Sequence, residues 1–225
     1  DSSRRDEAKK RAESSEVRNV GLTIETKPDW CKQLHVEQML NFGVTRVELG
    51  VQIIDDDVYK LTNRGHTVDD VVEAFQLSRD AGLKIVAHMM PGLPGSDFDK
   101  DLKSFKLLLQ DQRFRPDMLK IYPCLVMEGT ELYRWWQAGD YHPFDTEQAT
   151  ELIAQVKEFI PPYVRIMRVH REFPVRLIIA GVKSGNLREL ALKRLHERGK
   201  TCNCIRCHEV GHLALKANFM IDPER

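Results

Sequence analysis

Five β-rich runs separated by helix-length segments limit the fold of this chain more than any other feature of its sequence. Residues 20–25 (VGLTIE), 45–51 (TRVELGV), 84–90 (KIVAHMM), 118–122 (MLKIY) and 164–169 (VRIMRV) are strand-sized and rich in apolar or β-branched residues. Helical patterns lie around them. Residues 1–16 are polar with i,i+4 charge pairs, and 29–43 space Leu34, Met39 and Leu40 helically between a cap at Asp29 and a stop at Gly43. Thr67 caps 68–81, where Val71, Val72, Phe75 and Leu77 share a face and Gly82 ends the helix. After Pro91-Gly92-Leu93-Pro94-Gly95 a helix runs through Phe105, Leu108 and Leu109; 132–138, 147–159 and 186–198 follow, the last basic and stopped by Gly199. Strands alternating with helices require crossovers and so a parallel sheet. Five strands fall short of the eight of a closed barrel, and the chain opens on a helix with no strand before it. The expected fold is α/β, a partial (β/α) barrel or a cropped one, with a cysteine-rich loop near the C-terminus.

A chain of 225 residues, 42% hydrophobic, can bury one substantial core. No apolar run approaches the roughly 20 residues of a membrane-crossing helix, and the start has no leader-like apolar region. A soluble, cytoplasmic protein with no membrane partner is expected. Lys plus Arg and Asp plus Glu number 34 each, so net charge says nothing of nucleic acid. Distribution says more: basic residues outnumber acidic ones several-fold over 165–206. Arg168, His170, Arg171, Arg188, Lys193 and Arg194 are candidates for a polyanion-facing surface, against the alternative of a solvated helix face.

Cys202-Asn-Cys204-Ile-Arg-Cys207-His208 is the strongest site signal. Three thiols in close order suit zinc or an iron–sulfur cluster and argue against a disulfide framework. Structural zinc is preferred, because the loop follows a helix at the periphery. A tetrahedral ion needs a fourth ligand, and His208, His212, Cys124 and His170 are available. The strand ends form a second constellation: Glu25 with Lys27, Glu48 with Gln52, His88 with Met89 and Met90, Tyr122, and Arg168 with His170. Ligands gather at the carboxyl ends of parallel strands, and polar groups on apolar strands need partners. A shared polar cavity is therefore expected. The 91–95 turn would bring bare backbone to its edge.

The segments 21–29 (GLTIETKPD), 46–52 (RVELGVQ), 63–67 (NRGHT), 87–94 (AHMMPGLP), 115–123 (RPDMLKIYP) and 185–190 (GNLREL) resemble the catalytic subunit of Elongator and its single-chain prokaryotic counterparts. The resemblance covers nearly the whole chain. It implies a radical S-adenosylmethionine barrel joined to an acetyltransferase domain, together a tRNA carboxymethyluridine synthase that builds a carboxymethyl group on C5 of the wobble uridine from acetyl-CoA. In that scheme a 4Fe-4S cluster cleaves S-adenosylmethionine to a 5′-deoxyadenosyl radical, which takes a hydrogen from the acetyl methyl. The same resemblance implies that Glu25, Gln52, Met90, Gly92 and Tyr122 hold S-adenosylmethionine, and that Cys202, Cys204 and Cys207 are a zinc loop. The anticodon region of tRNA is the implied partner, with a homodimer or an Elongator-like assembly as the implied setting. The cluster-binding cysteines and the acetyltransferase domain that acetyl-CoA requires are not in this chain. It is therefore expected to be an internal piece, inactive alone: 1–183 a barrel portion, 184–225 a basic helix, zinc loop and linker. No catalytic residue is singled out. The alternative is a tRNA-binding or partner-docking module without chemistry.

Overall fold

The structure, a computed structural model, describes residues 2–170, 173–211 and 214. Its centre is a five-stranded parallel sheet of β1 (Thr23–Thr26), β2 (Arg46–Gln52), β3 (Lys84–Met89), β4 (Met118–Ile121) and β6 (Arg165–Val169), adjacent in that order. Each new strand joins the same edge. Right-handed crossovers wound in one direction leave all their helices on one face, which is barrel winding rather than a doubly wound sheet. The crossover helices are α2 (Gln33–Phe42), α4 (Val68–Asp80), α5 (Phe98–Gln110) and α7 (Thr146–Glu158), and α8 (Leu187–Glu197) packs along α7 after the last strand.

Strand alternation divides the sheet faces sharply. Ile24, Val47, Leu49, Val51, Ile85, Ala87, Met89, Leu119, Ile121 and Ile166 join one apolar cluster with helix residues such as Met39, Phe75, Phe105, Leu108 and Ile153. Burial of this face drives the fold. The interleaved positions carry Glu25, Arg46, Glu48, His88, Met118 and Lys120. They contact one another across strands, Arg46 Nε donating to Thr23 Oγ1 at 2.9 Å.

Several expectations shift by local chemistry. The first strand begins at Thr23, because only there does β1 pair with β2. Asp29 caps nothing: it lies in a 3-10 turn, Pro28–Trp30, with its carboxylate 3.1 Å from Lys27, and α2 starts later, at Gln33. The acidic run at 55–57 opens an additional short helix, α3 (Asp56–Leu61), where Asp55 Oδ1 accepts from the N–H groups of Asp57 and Val58 at 3.0 Å. Two short strands, β5 (Val126–Met127) and β7 (Ile178–Ala180), form an antiparallel pair outside the main sheet. The remaining helices are α1 (Ser2–Ser14) and α6 (Glu131–Ala138). No helix among the described residues is long and apolar enough to cross a membrane.

Candidate functional site

The polar face of the sheet ends in a charged cluster. His88 Nε2 lies 2.7 Å from Glu48 Oε2 and its Nδ1 3.4 Å from Glu25 Oε1. Lys120 bonds to the same Glu48 oxygen, and Tyr122 sets its ring edge-on to His88 at 5.8 Å. Burial pushes the Glu48 carboxyl up, but hydrogen bonds from Lys120 and His88 outweigh it and leave the carboxyl below its ordinary range. Burial also lowers His88, against the opposing pull of Glu48 and Glu25. A neutral imidazole has one N–H for two carboxylates, so this cluster can hold and pass a proton. Glu25, Glu48 and His88 place three donor atoms within 4.8 Å of one another, yet the Lys120 ammonium already occupies the cation's place beside Glu48.

Gln52 and Met90 stand elsewhere. They line a cavity of about 560 Å³ at the strand carboxyl ends with Arg64, Leu93, Cys124 and Trp135. Glu25 and Tyr122 are not among its lining residues, so the expected single cavity is resolved into a charged cluster and a neighbouring, largely apolar pocket. Gln52 has φ +70°, bracketed by a 2.9 Å bond from Ile53 N–H to the Val51 carbonyl, while its own carbonyl accepts from Met90 N–H at 2.8 Å. Such left-handed γ-turns are strained in non-glycine residues and collect at functional rims. Gly92 is buried, with its N–H on Asp101 Oδ2 at 2.7 Å and its carbonyl accepting the Tyr141 hydroxyl at 2.5 Å. Its φ is +80° and a Cβ would press on Phe144 at 3.3 Å, so the glycine answers protein packing as well as turn geometry. Burial pushes the Asp101 carboxyl up to about 7.

The three clustered cysteines lie at the opposite end of the sheet. Ile205 N–H donates to the carbonyl of Val164, just before β6 begins, and Arg165 pairs with Glu209 at 2.5 Å. Their sulfurs lie within 4.8 Å of one another, and Cys202 and Cys204 are buried. Hydrogen bonds from Cys202 and Cys207 pull the Cys204 thiol down. Three converging thiols, two buried and one half-buried, fit a tetrahedral zinc. They do not fit a 4Fe-4S cluster serving the rim, because β6 runs away from them for five residues, roughly 16–17 Å at 3.3 Å per residue. Of the other cysteines, Cys31 bonds Ser78 at 3.4 Å in the core, and Cys124 lies alone among the cavity's lining residues. Among the described residues, then, no thiol group at the rim fits such a cluster. The same distance separates Cys124 and His170, both at strand carboxyl ends, from the loop. His208 is adjacent, its Nε2 3.0 Å from the Cys202 carbonyl. His212 lies outside the described residues.

The candidate polyanion-facing residues separate by their partners. Arg168 and Lys193 are exposed. Arg194 bonds to Glu147 at 2.5 Å and Glu151 at 3.0 Å, and Arg188, half-buried, donates to the Ile166 carbonyl at 3.0 Å. His170 is buried with φ +73°, and Arg171 lies outside the described residues. Sequence reading passed over Lys120, although a lysine two positions before Tyr122 in an apolar strand was a visible signal. It also passed over Arg64 and Trp135, which only tertiary structure brings to the cavity.

The radical SAM superfamily profile matches residues 2–108, and the radical SAM C-terminal domain profile matches 116–197. The chain is 49% identical over its whole length to the tRNA uridine(34) acetyltransferase of Methanocaldococcus jannaschii, covering 41% of that protein. It is 47% identical to Elongator complex protein 3 of Drosophila melanogaster, over 91% of this chain and 37% of that one. The chain thus spans about two-fifths of the curated relatives it matches. The archaeal Methanocaldococcus infernus Elp3 with an N-terminal deletion superposes with a TM-score of 0.92 at 48% identity, covering 97% of this chain and 51% of that one. A [FeFe]-hydrogenase maturase, HydG, shares the fold alone, with a TM-score of 0.53 at 13% identity over 89% of this chain and half of that one.

Proposed function

This chain belongs to the radical SAM superfamily and is a homologue of the tRNA uridine(34) acetyltransferases and Elongator complex protein 3; from that premise we propose that it is the S-adenosylmethionine-binding core of a tRNA-modifying transferase. The longer protein would build a carboxymethyl group on C5 of the wobble uridine from acetyl-CoA, and turnover belongs to that longer protein. The observation that carries the reading is the strand-end cavity of about 560 Å³ beside the Glu25–Glu48–His88–Lys120 cluster, a volume in the range of small-ligand sites.

In this reading Leu93, Leu132 and Trp135 give the adenosyl group an apolar wall, and Gln52, Asn63 and Arg64 offer it polar contacts. Reductive cleavage at a 4Fe-4S cluster would supply the radical. The described thiols do not fit that cluster, so its ligands would come from the longer protein. His88, between two carboxylates, would hold or move a proton at Nε2 or Nδ1. The unpaired wobble base must leave its stack to reach the rim. Its tRNA would be held through phosphates by Arg168 and Lys193, with Arg171 also a candidate. Residues 1–183 are proposed as the barrel portion and 184–225 as the zinc-loop segment, which α8 fastens to the barrel. Five free cysteines suit a reducing cytoplasm.

The test is calorimetric titration of S-adenosylmethionine into this chain, wild type against Gln52→Ala and Trp135→Ala. Weak binding by wild type and about ten-fold weaker binding by Trp135→Ala is expected, in line with about 1–3 kcal/mol per base stacked on an aromatic ring. Equal binding by all three would remove the cavity from the mechanism. No binding at all would favour a tRNA-docking module without chemistry.

A further inference from the structure

Helix α7 turns an apolar face to the core through Leu152, Ile153, Ala154 and Val156, and a lysine stands among them. Lys157 is wholly buried, at 0% exposure. Lysine is almost never buried without a partner, because an ammonium out of water needs charge and hydrogen bonds in return. Among the described residues no carboxylate pairs with it: neighbouring Glu158 and Glu151 are engaged by Arg198, and Glu151 also by Arg194. What faces Nζ is sulfur. It lies 3.6 Å from Cys202 Sγ and 4.0 Å from Cys207 Sγ, within hydrogen-bonding range for that element.

Charge counting gives this arrangement a purpose. Zinc with three thiolates carries one net negative charge, and one ammonium cancels it. Of the other cations near the loop, Arg206 bonds to Glu209, while Arg188 donates to the neutral Ile166 carbonyl and lines the same cavity as Cys202 and Cys207, so it adds positive charge there. We infer that Lys157 is a positioning residue of the zinc loop, whose ammonium donates to the Cys202 and Cys207 sulfurs and offsets thiolate charge there. The inference rests on the zinc reading of the loop and is independent of S-adenosylmethionine and tRNA.

The test uses the full-length protein loaded with zinc or cobalt(II), comparing wild type with K157M, K157Q and K157R. Two readouts are taken: the rate of zinc transfer to a chromogenic chelator, and the sulfur-to-cobalt and d–d absorption bands. K157M fills the same buried volume without charge and should lose zinc about ten-fold faster or more, the scale on which outer partners act on metal sites. Its cobalt bands should shift, and K157R should recover much of the wild-type rate. A lysine serving only to fill space would change the melting temperature but neither the bands nor the release rate. Unchanged release and bands in a folded K157M overturn the inference. If K157M does not fold, K157Q is read in the same way, with faster release supporting the role and wild-type release overturning it. A wild-type protein that takes up neither metal would overturn the inference together with the zinc reading, while leaving the cavity's proposed ligand untouched.

Discussion

His88 has a carboxylate on each ring nitrogen and a lysine beyond one of them, and its acid–base behaviour follows from that setting. Its pKa is lowered by burial from an ordinary 6.5, so the native state prefers the neutral ring. The stability this gives is present above about pH 6.5 and is lost as the pH falls and the unfolded chain takes up the proton. Glu48 is lowered from 4.5, burial opposing and Lys120 and His88 prevailing, so its contribution is also lost toward acid. Asp101 works in the opposite direction. Burial raises it from 3.8 to about 7, so stability declines as the pH rises through that interval and is constant above it. Urea unfolding from pH 4 to 8 should therefore separate the three groups. His88→Gln should flatten the acid limb near neutrality. Asp101→Asn should remove the decline between about pH 4 and 7, because its amide keeps an acceptor for Gly92 N–H and offers Ser96 Oγ a donor without titrating. An Asp101→Asn profile parallel to wild type would show that Asp101 does not titrate in this interval.

The pair α7–α8 decides which basic residues are free to meet a polyanion. Hydrogen bonds from Arg198 hold the Glu151 carboxyl down at about 2, and Arg194 bonds to the same group. Ion pairs this open to solvent are weak, so the network fastens α8 modestly and takes two arginines out of competition for phosphate. Arg168→Glu combined with Lys193→Glu should weaken tRNA binding and lower the salt slope by about 0.7–0.9 for each phosphate no longer neutralised, without shifting the melting temperature. Arg194→Glu should instead shift the melt, because it sets like charge against Glu147 and Glu151. A gel shift with whole tRNA at two salt concentrations, read beside thermal unfolding, distinguishes the two. Equal tRNA binding by wild type and the double variant would remove Arg168 and Lys193 from the interface.

At the scale of the molecule, the sheet carries its two candidate centres at opposite ends: proton-handling residues and a ligand-sized cavity at the carboxyl rim, and a thiol loop at the amino end of the last strand. Removing the zinc proposed for the loop should therefore loosen one end and spare the other. In Cys204→Ser, amide hydrogen exchange should quicken through α8 and the loop while β2 and β3 keep their protection. Quickening across the whole sheet would mean that the loop supports the barrel globally. The sequence by itself determined the five main strands, their parallel pairing, the crossover helices and the cysteine loop, because these depend on local pattern: period-two strands, capped helices, and three thiols within six positions. It also marked Glu25, Glu48 and His88 as misfits on apolar strands, since a charge in such a run must be partnered. Tertiary structure alone decided which misfits meet. Lys120 reaches Glu48 across 72 residues, Trp135 comes to Gln52 and Met90, and Lys157 reaches the cysteines from a helix 45 residues earlier. Such pairings depend on strand order and crossover direction, which the packing of the whole sheet fixes and no window of sequence contains.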